Sequence, residues 1–426
     1  MLLGMAGAYA QQNTASPYSF YALGEVKFKG TIENRMMAGL SMYSDSIHLN
    51  LQNPASYSDL KLTTYTAALS FNNLTLKNED TKENTTTVSF NYLSLGIPIS
   101  EKIGAGLGLM PYTAVGYQLE SIDDTQPNTI TDRYTGEGGI NRVYFSLGYA
   151  ITKNFSLGVT GNYNFGKIQN ESLRIIEDVE LATREINLSN INGLDVNLAL
   201  NYRTPVRKDY MLYASLMHRP GSTLASENFR TIATVSFNAA GAESPPRDLE
   251  IIDLEASDLD ETDITVPSST TVGIGFGKDK KWFAGAEYEF RDMSKFNNPF
   301  TDIVNYEYEN AYRLTLGGFF IPKYDSFTNY WNRIAYRAGV RYEKTGLLVN
   351  NTAVNDFGIS FGVGLPLGGY IPNTNSLAFA SMFSNINVGF DVGKRGEAAS
   401  GIQENYFNLN ISLSLNDKWF VKRKYN

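Results

Sequence analysis

From Tyr406 to Asn416 the chain alternates without a break. Phe407, Leu409, Ile411, Leu413 and Leu415 interleave with Asn408, Asn410, Ser412, Ser414 and Asn416. Successive side chains of a strand point to opposite faces, so this segment is a strand with one wholly apolar side and one wholly polar side. The polar side is Asn and Ser rather than Lys and Glu. A sheet in water turns its charges to solvent. A mild polar face opposite an unbroken apolar one suits the lumen and the lipid surface of a transmembrane β-barrel.

The same test succeeds elsewhere. Val143, Phe145, Leu147, Tyr149 and Ile151 form an apolar row. Leu194, Val196, Leu198, Leu200 and Tyr202 form another, opposite Asp195, Asn197, Ala199 and Asn201. Trp282, Ala284, Ala286, Tyr288 and Phe290 form a third, opposite Glu287, Glu289 and Arg291. No row contains a charge, as expected where a mid-bilayer Lys or Arg costs about 2–4 kcal/mol. Candidate strands run over 61–72, 85–97, 103–115, 141–151, 155–167, 192–203, 210–218, 269–277, 282–291, 310–321, 333–343, 355–364, 384–393 and 404–416. They number fourteen, which is even and puts both barrel ends on one side of the membrane. The prediction is an all-β, fourteen-stranded antiparallel transmembrane β-barrel.

Tight turns at 98–102, 152–154, 204–209 and 278–281 alternate with long polar segments near 116–140, 168–191, 219–268 and 292–309. That asymmetry predicts long loops outside the cell. Segments 322–332 and 365–383 are too long for the rule; they either weaken the count or carry extra periplasmic structure. The alternative fold is a large soluble β-sandwich, which should show more charge on its solvent faces.

Composition agrees with an exported membrane protein. No apolar run reaches the roughly 18–20 residues of a membrane helix, which leaves barrel strands untouched. The absence of Cys removes disulfides, thiolate zinc sites and Cys nucleophiles, and the net charge of −8 disfavours nucleic-acid partners. Residues 1–10 end in Ala8-Tyr9-Ala10, the small-x-small form of a signal cleavage site. They are expected to be a signal remnant.

Residues 11–60 alternate poorly and hold Met36-Met37-Ala38-Gly39-Leu40-Ser41, Asp45 and Asn53-Pro54-Ala55. An Ala-Gly segment, an Asp and an Asn-Pro-Ala just before the first strand resemble the hatch of the long-chain fatty-acid transporter (FadL-type) barrel family. Leu316-Gly317-Gly318, Tyr336-Arg337-Ala338-Gly339 and Gly362-Val363-Gly364-Leu365-Pro366 extend the likeness. The ending Asn416-Asp417-Lys418-Trp419-Phe420 is similar to divergent members from gliding and gut-type Gram-negative bacteria. The resemblance implies an N-terminal plug, or hatch, at 11–60 inside a barrel at 61–416, with a periplasmic tail at 417–426. Its hatch residues would be Ala38, Gly39, Asp45, Asn53, Pro54 and Ala55. A turn merely started by Asn53-Pro54 is the simpler reading.

With the apolar rows outward, the inward positions of the later strands carry Glu287, Glu289, Arg291, Arg313, Arg333, Arg337, Arg341, Glu343, Asp356 and Asp391. Guanidinium forks pair with carboxylates and carbonyls, so this set reads as a network anchoring the hatch. The rival reading is an ion-selective pore lining. In the third strand Gly104, Gly106 and Gly108 lack side chains and Pro111 cannot donate to the ladder. The resemblance implies a lateral gap there for release of an apolar ligand; the alternative is that Pro111 ends the strand at the rim.

Other motifs carry less. Gly273-Ile274-Gly275-Phe276-Gly277-Lys278 lacks the spacing and following helix of a phosphate loop. Neither His48 nor His218 sits in a hydrolase signature, so no enzyme is expected. Glu243–Asp263 holds nine acidic residues and Arg247. Asp258, Asp260, Glu261 and Asp263 offer oxygen ligands for Ca²⁺, but no Gly stands where a tight calcium loop needs one. The run reads as a solvated outer loop or a docking surface, and no metal or cofactor is expected. Lys422-Arg423-Lys424 reads as a solvated periplasmic end.

By resemblance, the expected function is passive uptake of hydrophobic small molecules such as long-chain fatty acids across the outer membrane of a Gram-negative bacterium. Membrane lipid and a hydrophobic ligand would be the partners. The alternative is a non-transporting scaffold, the barrel subunit of an outer-membrane secretion or barrel-assembly machine, with outer-membrane protein partners.

Overall fold

A computed structural model describes residues 13–78, 81–238, 243–301, 306–326, 328–367, 384–398 and 401–419. The Ala8-Tyr9-Ala10 and Lys422-Arg423-Lys424 motifs lie outside them. The N-terminal segment carries a short strand β1 (Glu25–Val26), a one-turn helix α1 (Ile32–Arg35) and a 3-10 turn at Pro54–Asp59. Seven strands follow: β2 (Thr63–Lys77), β3 (Lys82–Pro98), β4 (Ile103–Asp123), β5 (Ile130–Ala150), β6 (Phe155–Ile176), β7 (Ala182–Arg207) and β8 (Tyr210–Arg219). Strands β9 (Ser222–Val235), β10 (Arg247–Ile252) and β11 (Glu261–Val266) come next, then β12 (Ser269–Lys278), β13 (Trp282–Arg291) and the short β14 (Tyr306–Tyr308). The chain ends with β15 (Ala311–Phe320), β16 (Ala335–Val349), β17 (Thr352–Pro366), β18 (Asn385–Arg395) and β19 (Gln403–Asp417).

Fourteen of these form a closed antiparallel wall, in the order β2 to β8, β12, β13 and β15 to β19. Closure comes from β19 pairing with β2, from Gln403–Lys77 to Asp417–Thr63. In hydrocarbon every unpaired N–H and C=O is costly, so a sheet that crosses a bilayer must close on itself. The wall strands overlap the fourteen expected spans one for one.

The faces follow the alternation. Phe407, Ile411, Leu413 and Leu415 are exposed, while Asn410, Ser412 and Ser414 are buried. Val143, Phe145, Leu194, Val196, Tyr288 and Phe290 are exposed as well. Exposed apolar rows with buried polar ones invert the order of a water-soluble protein and fit a lipid-facing wall.

The expected long loops near 116–140 and 168–191 are a correction: most of these residues are strand. The β4–β5 ladder runs on to Asp123–Ile130, and the β6–β7 ladder to Arg174–Thr183. Backbone pairing does not depend on side-chain polarity, so an antiparallel hairpin continues after its lipid-facing residues stop. The segment at 219–268 also contains sheet, because β9 pairs with β7 from Ala182–Val235 to Asn192–Ala225. Strands β10 and β11 then share the opposite edge of β9.

The N-terminal segment packs against buried residues of the wall. Ile32, Met36, Leu49, Leu51, Tyr57 and Leu60 pack with the wall residues Ala68, Tyr92, Met110 and Tyr144. Met37, Leu40 and Met42 pack with Tyr213 and Phe283. Fit is close at β4. A Cβ on Gly104 would stand 1.8 Å from the Tyr57 carbonyl oxygen, and one on Gly106 2.0 Å from the Tyr57 ring. These glycines let backbone lie against backbone.

Candidate functional site

The site is the contact between the N-terminal segment and the inward charges of the wall. It begins at α1, whose end is shaped by Ala38 (φ 58°) and Gly39 (φ 102°). The Gly39 N–H donates to the Asn34 carbonyl at 2.9 Å, and the Asn34 amide donates to the Leu40 carbonyl at 2.7 Å. A left-handed turn here favours glycine and re-aims the chain. The next residues then point their donors at β13. Glu287, which is buried, accepts from the Ser41 N–H at 2.8 Å, the Ser41 hydroxyl at 2.9 Å and the Met42 N–H at 2.7 Å.

Other wall groups hold the rest of the segment. Arg35 Nε donates to Asp391 Oδ2 at 2.5 Å. The Asn387 amide donates to Glu33 at 2.8 Å and accepts from Arg337 at 3.2 Å. Arg395 meets Glu25 at 3.3 Å, Asp356 at 3.1 Å and Glu404 at 3.4 Å. Ser16 donates to Glu404, and Thr14 and Lys27 bond Glu25. Arg341 and Asp356 meet on the Tyr406 hydroxyl, each at 2.8 Å.

Nearer β2, Asp45 accepts from the Ile47 and His48 N–H groups at 2.9 and 2.8 Å and faces His48 Nδ1 at 2.6 Å. His48 Nε2 lies 3.2 Å from the Asn385 amide. Burial alone would pull the His48 imidazole down, but the Asp45 carboxylate outweighs it and raises the imidazole above its ordinary value. Asn53 does two things. Its oxygen caps the Pro54–Asp59 turn by accepting from the Ala55 N–H at 3.2 Å, and its amide donates to Asn201 at 2.8 Å. Pro54 at the first turn position needs no N–H there.

Four of the expected network members pair within the wall instead: Arg313 with Glu289 at 2.8 Å, and Arg291 with Glu343. Arg333 is a correction. It belongs to a 3-10 turn at Tyr330–Arg333 before β16 begins, with its guanidinium over the Tyr330 ring at 5.2 Å. The strand begins two residues later than its expected start. Sequence reasoning also missed Glu33, Arg35, Arg395, Glu404 and the buried pair Arg142–Asp195, joined at 2.7 Å. Parity was the available signal, since Arg395 shares a face with Asp391, and Arg142 faces away from the Val143 row.

The wall is not uniformly laddered. Strand β3 pairs with β4 only from Pro98–Gly104 to Leu93–Leu109. Beyond that point β3 stays paired to β2 and β4 to β5, leaving a seam between them. The seam opens past the three glycines, next to Pro111, where the β4–β5 register also shifts. Part of the bare β4 edge is taken by β1, with Glu25 opposite Ala114, Val26 opposite Thr113, and the Lys27 N–H on the Tyr112 carbonyl at 2.9 Å. A cavity of about 450 Å³ lies beside the seam, bounded by Thr87 and Asn91 of β3, Tyr112 of β4, Lys29, Arg219, Glu289 and Arg313. Leu23, Phe28, Leu74, Phe296 and Leu347 line it as well, so charged and amide groups share its wall with apolar side chains.

Several comparisons bear on this arrangement. A family model described as BamG matches residues 1–426. The fold is similar to that of the toluene transporter TodX of Pseudomonas putida, with a TM-score of 0.59 and 14% identity over 94% of this chain and 100% of that one. It is similar to the CymD monoaromatic hydrocarbon channel, with a TM-score of 0.53 and 13% identity over 93% and 98%. A FadL homologue of Pseudomonas aeruginosa gives 0.53 and 10% over 93% and 99%. At such identities the likeness is one of fold, the FadL-type barrel. No curated protein sequence matches.

Proposed function

The chain belongs to the BamG family, and on that premise we propose that it is a non-transporting barrel subunit, a scaffold, of a barrel-assembly machine in the outer membrane of a Gram-negative bacterium. The observation that carries this reading is the hold of the wall on the N-terminal segment, above all the three bonds from Ser41 and Met42 to buried Glu287. A gate must leave its seat. Parting Arg35 from Asp391 would break a largely buried ion pair, roughly 3–5 kcal/mol when one side is removed, and parting the 41–42 turn from Glu287 would strip three hydrogen bonds from a buried carboxyl, about 2–4 kcal/mol net. The sum, on the order of 5–9 kcal/mol, keeps an open form below about one molecule in 10³. Segment 13–60 then acts as a fixed plug that stiffens the wall.

Purification in mild detergent from the native membrane, with quantitative mass spectrometry of proteins and lipids, tests the reading. A stoichiometric complex of outer-membrane assembly subunits, with no hydrophobic ligand in this barrel, is expected. A solitary barrel carrying fatty acid or another hydrophobic ligand overturns it. That outcome would favour the second reading, uptake of hydrophobic small molecules such as long-chain fatty acids with sideways release. The β3–β4 seam is the observation on its side, together with the fold shared with hydrocarbon channels.

A further inference from the structure

We propose that β10 is a docking edge, to which a protein partner adds an extended strand with basic flanks. The extended part of β7 pairs with β9, and β9 pairs with β10 from Thr234–Arg247 to Arg230–Ile252. Among the described residues the register of β10 is with β9 alone. An open edge offers a row of unpaired N–H and C=O groups to any incoming strand.

On one face the side chains beside this edge are apolar and bare. Ile251 is 74% exposed and Leu249 is 61% exposed. Ile251 lies opposite Thr231, so Phe229, two residues along β9, shares its face and is exposed too. Leu188 of β7 stands opposite Phe229. This patch is not a lipid contact. Leu188 is about 20 Å of strand beyond Leu194, at roughly 3.3 Å per residue. On the same face of β6 the lipid-facing row gives way after Phe165 to Lys167, Gln169 and Glu171. Exposed apolar patches of this kind mark protein contacts.

Charge selects the partner. Residues 243–263 hold nine carboxylates against Arg247 alone. A second copy laid along β10 would oppose Asp248 and Glu250 with their own kind, and Asp248 (φ 48°) sits where the β9–β10 register shifts, which blunts self-pairing. A strand flanked by Lys or Arg meets neither obstacle. This inference rests on the reading of the chain as a machine subunit.

Hydrogen exchange on the purified native complex and on the isolated chain is the test, paired with a benzophenone amino acid at position 251. The amides of Leu249–Ile252 should exchange at least tenfold more slowly in the complex, and the probe should join one polypeptide at a Lys- or Arg-bearing segment. The double variant Leu249→Lys, Ile251→Lys should keep the heat-modifiable gel mobility of the barrel and lose that one subunit. Unchanged exchange, a cross-link to lipid, or a full complement of subunits in the double variant overturns the inference while leaving the scaffold reading in place. Absence of any stoichiometric complex with the wild-type chain overturns both.

Discussion

Replacing Glu287 by Ala should loosen the N-terminal segment at one point without opening the barrel. The substitution leaves the Ser41 N–H, the Ser41 hydroxyl and the Met42 N–H without their acceptor in a buried place. Each such loss costs roughly 1–3 kcal/mol, so three give about 3–9 kcal/mol. Part is offset, because the wild type must bury a carboxylate and the variant need not, and water can enter the space left behind. A net loss of about 2–4 kcal/mol of local docking is expected, which is roughly 30- to 1000-fold faster exchange of the Ser41 and Met42 amides. Glu287→Gln keeps an acceptor oxygen and should show a smaller change, about tenfold. The assay is hydrogen exchange by mass spectrometry in detergent, with gel mobility as the check on the barrel. Wild-type exchange at residues 41 and 42 in the Ala variant, with the barrel intact, would refute the claim that Glu287 seats the segment.

A double-mutant cycle on Arg35→Ala and Asp391→Ala should give a coupling of about 1–3 kcal/mol, read from the exchange of α1; additive single effects would remove Arg35–Asp391 from the anchors. Gly106→Ala should lower the yield of folded barrel, since its Cβ would fall 2.0 Å from the Tyr57 ring, and adding Tyr57→Ala should restore most of it; no rescue would mean the clash lies elsewhere. The stabilisation from His48 should be fully present below its unfolded value of about 6.5 and disappear as pH rises through its raised folded value. Protection of the amides at residues 45–48, taken relative to the intrinsic rate at each pH, should therefore fall as the solution turns alkaline, and constant or rising protection would contradict the assigned sign.

The wall was legible because lipid permits so few side chains. Rows such as Leu194 to Tyr202 must be charge-free to face hydrocarbon, and a period of two then fixes which residues turn inward. Beyond the bilayer this constraint lapses. Residues 116–123 and 182–191 keep their ladders with mixed side chains, so their strand character leaves little periodic trace. The charged positions on the later strands could be named by parity, but their partners could not. Glu287 and Asp391 are held by residues nearly 250 and more than 350 positions away, a pairing set by barrel register. Arg333 failed for a local reason: the Asn329 side chain accepts from the Trp331 N–H and starts a turn where alternation alone read strand.

The closing ladder has a consequence for how the protein is made. Ser16 bonds Glu404, 388 residues away, and Glu404 lies opposite Leu76, at the end of β2 remote from Thr63. The Ser16 contact thus waits for β19, a demanding order of events for any polypeptide. Until β19 reaches β2 the wall is not closed, and the contacts from its last strand to the N-terminal segment cannot form. A protein built in this way is itself a difficult client for the machinery in which it is proposed to serve.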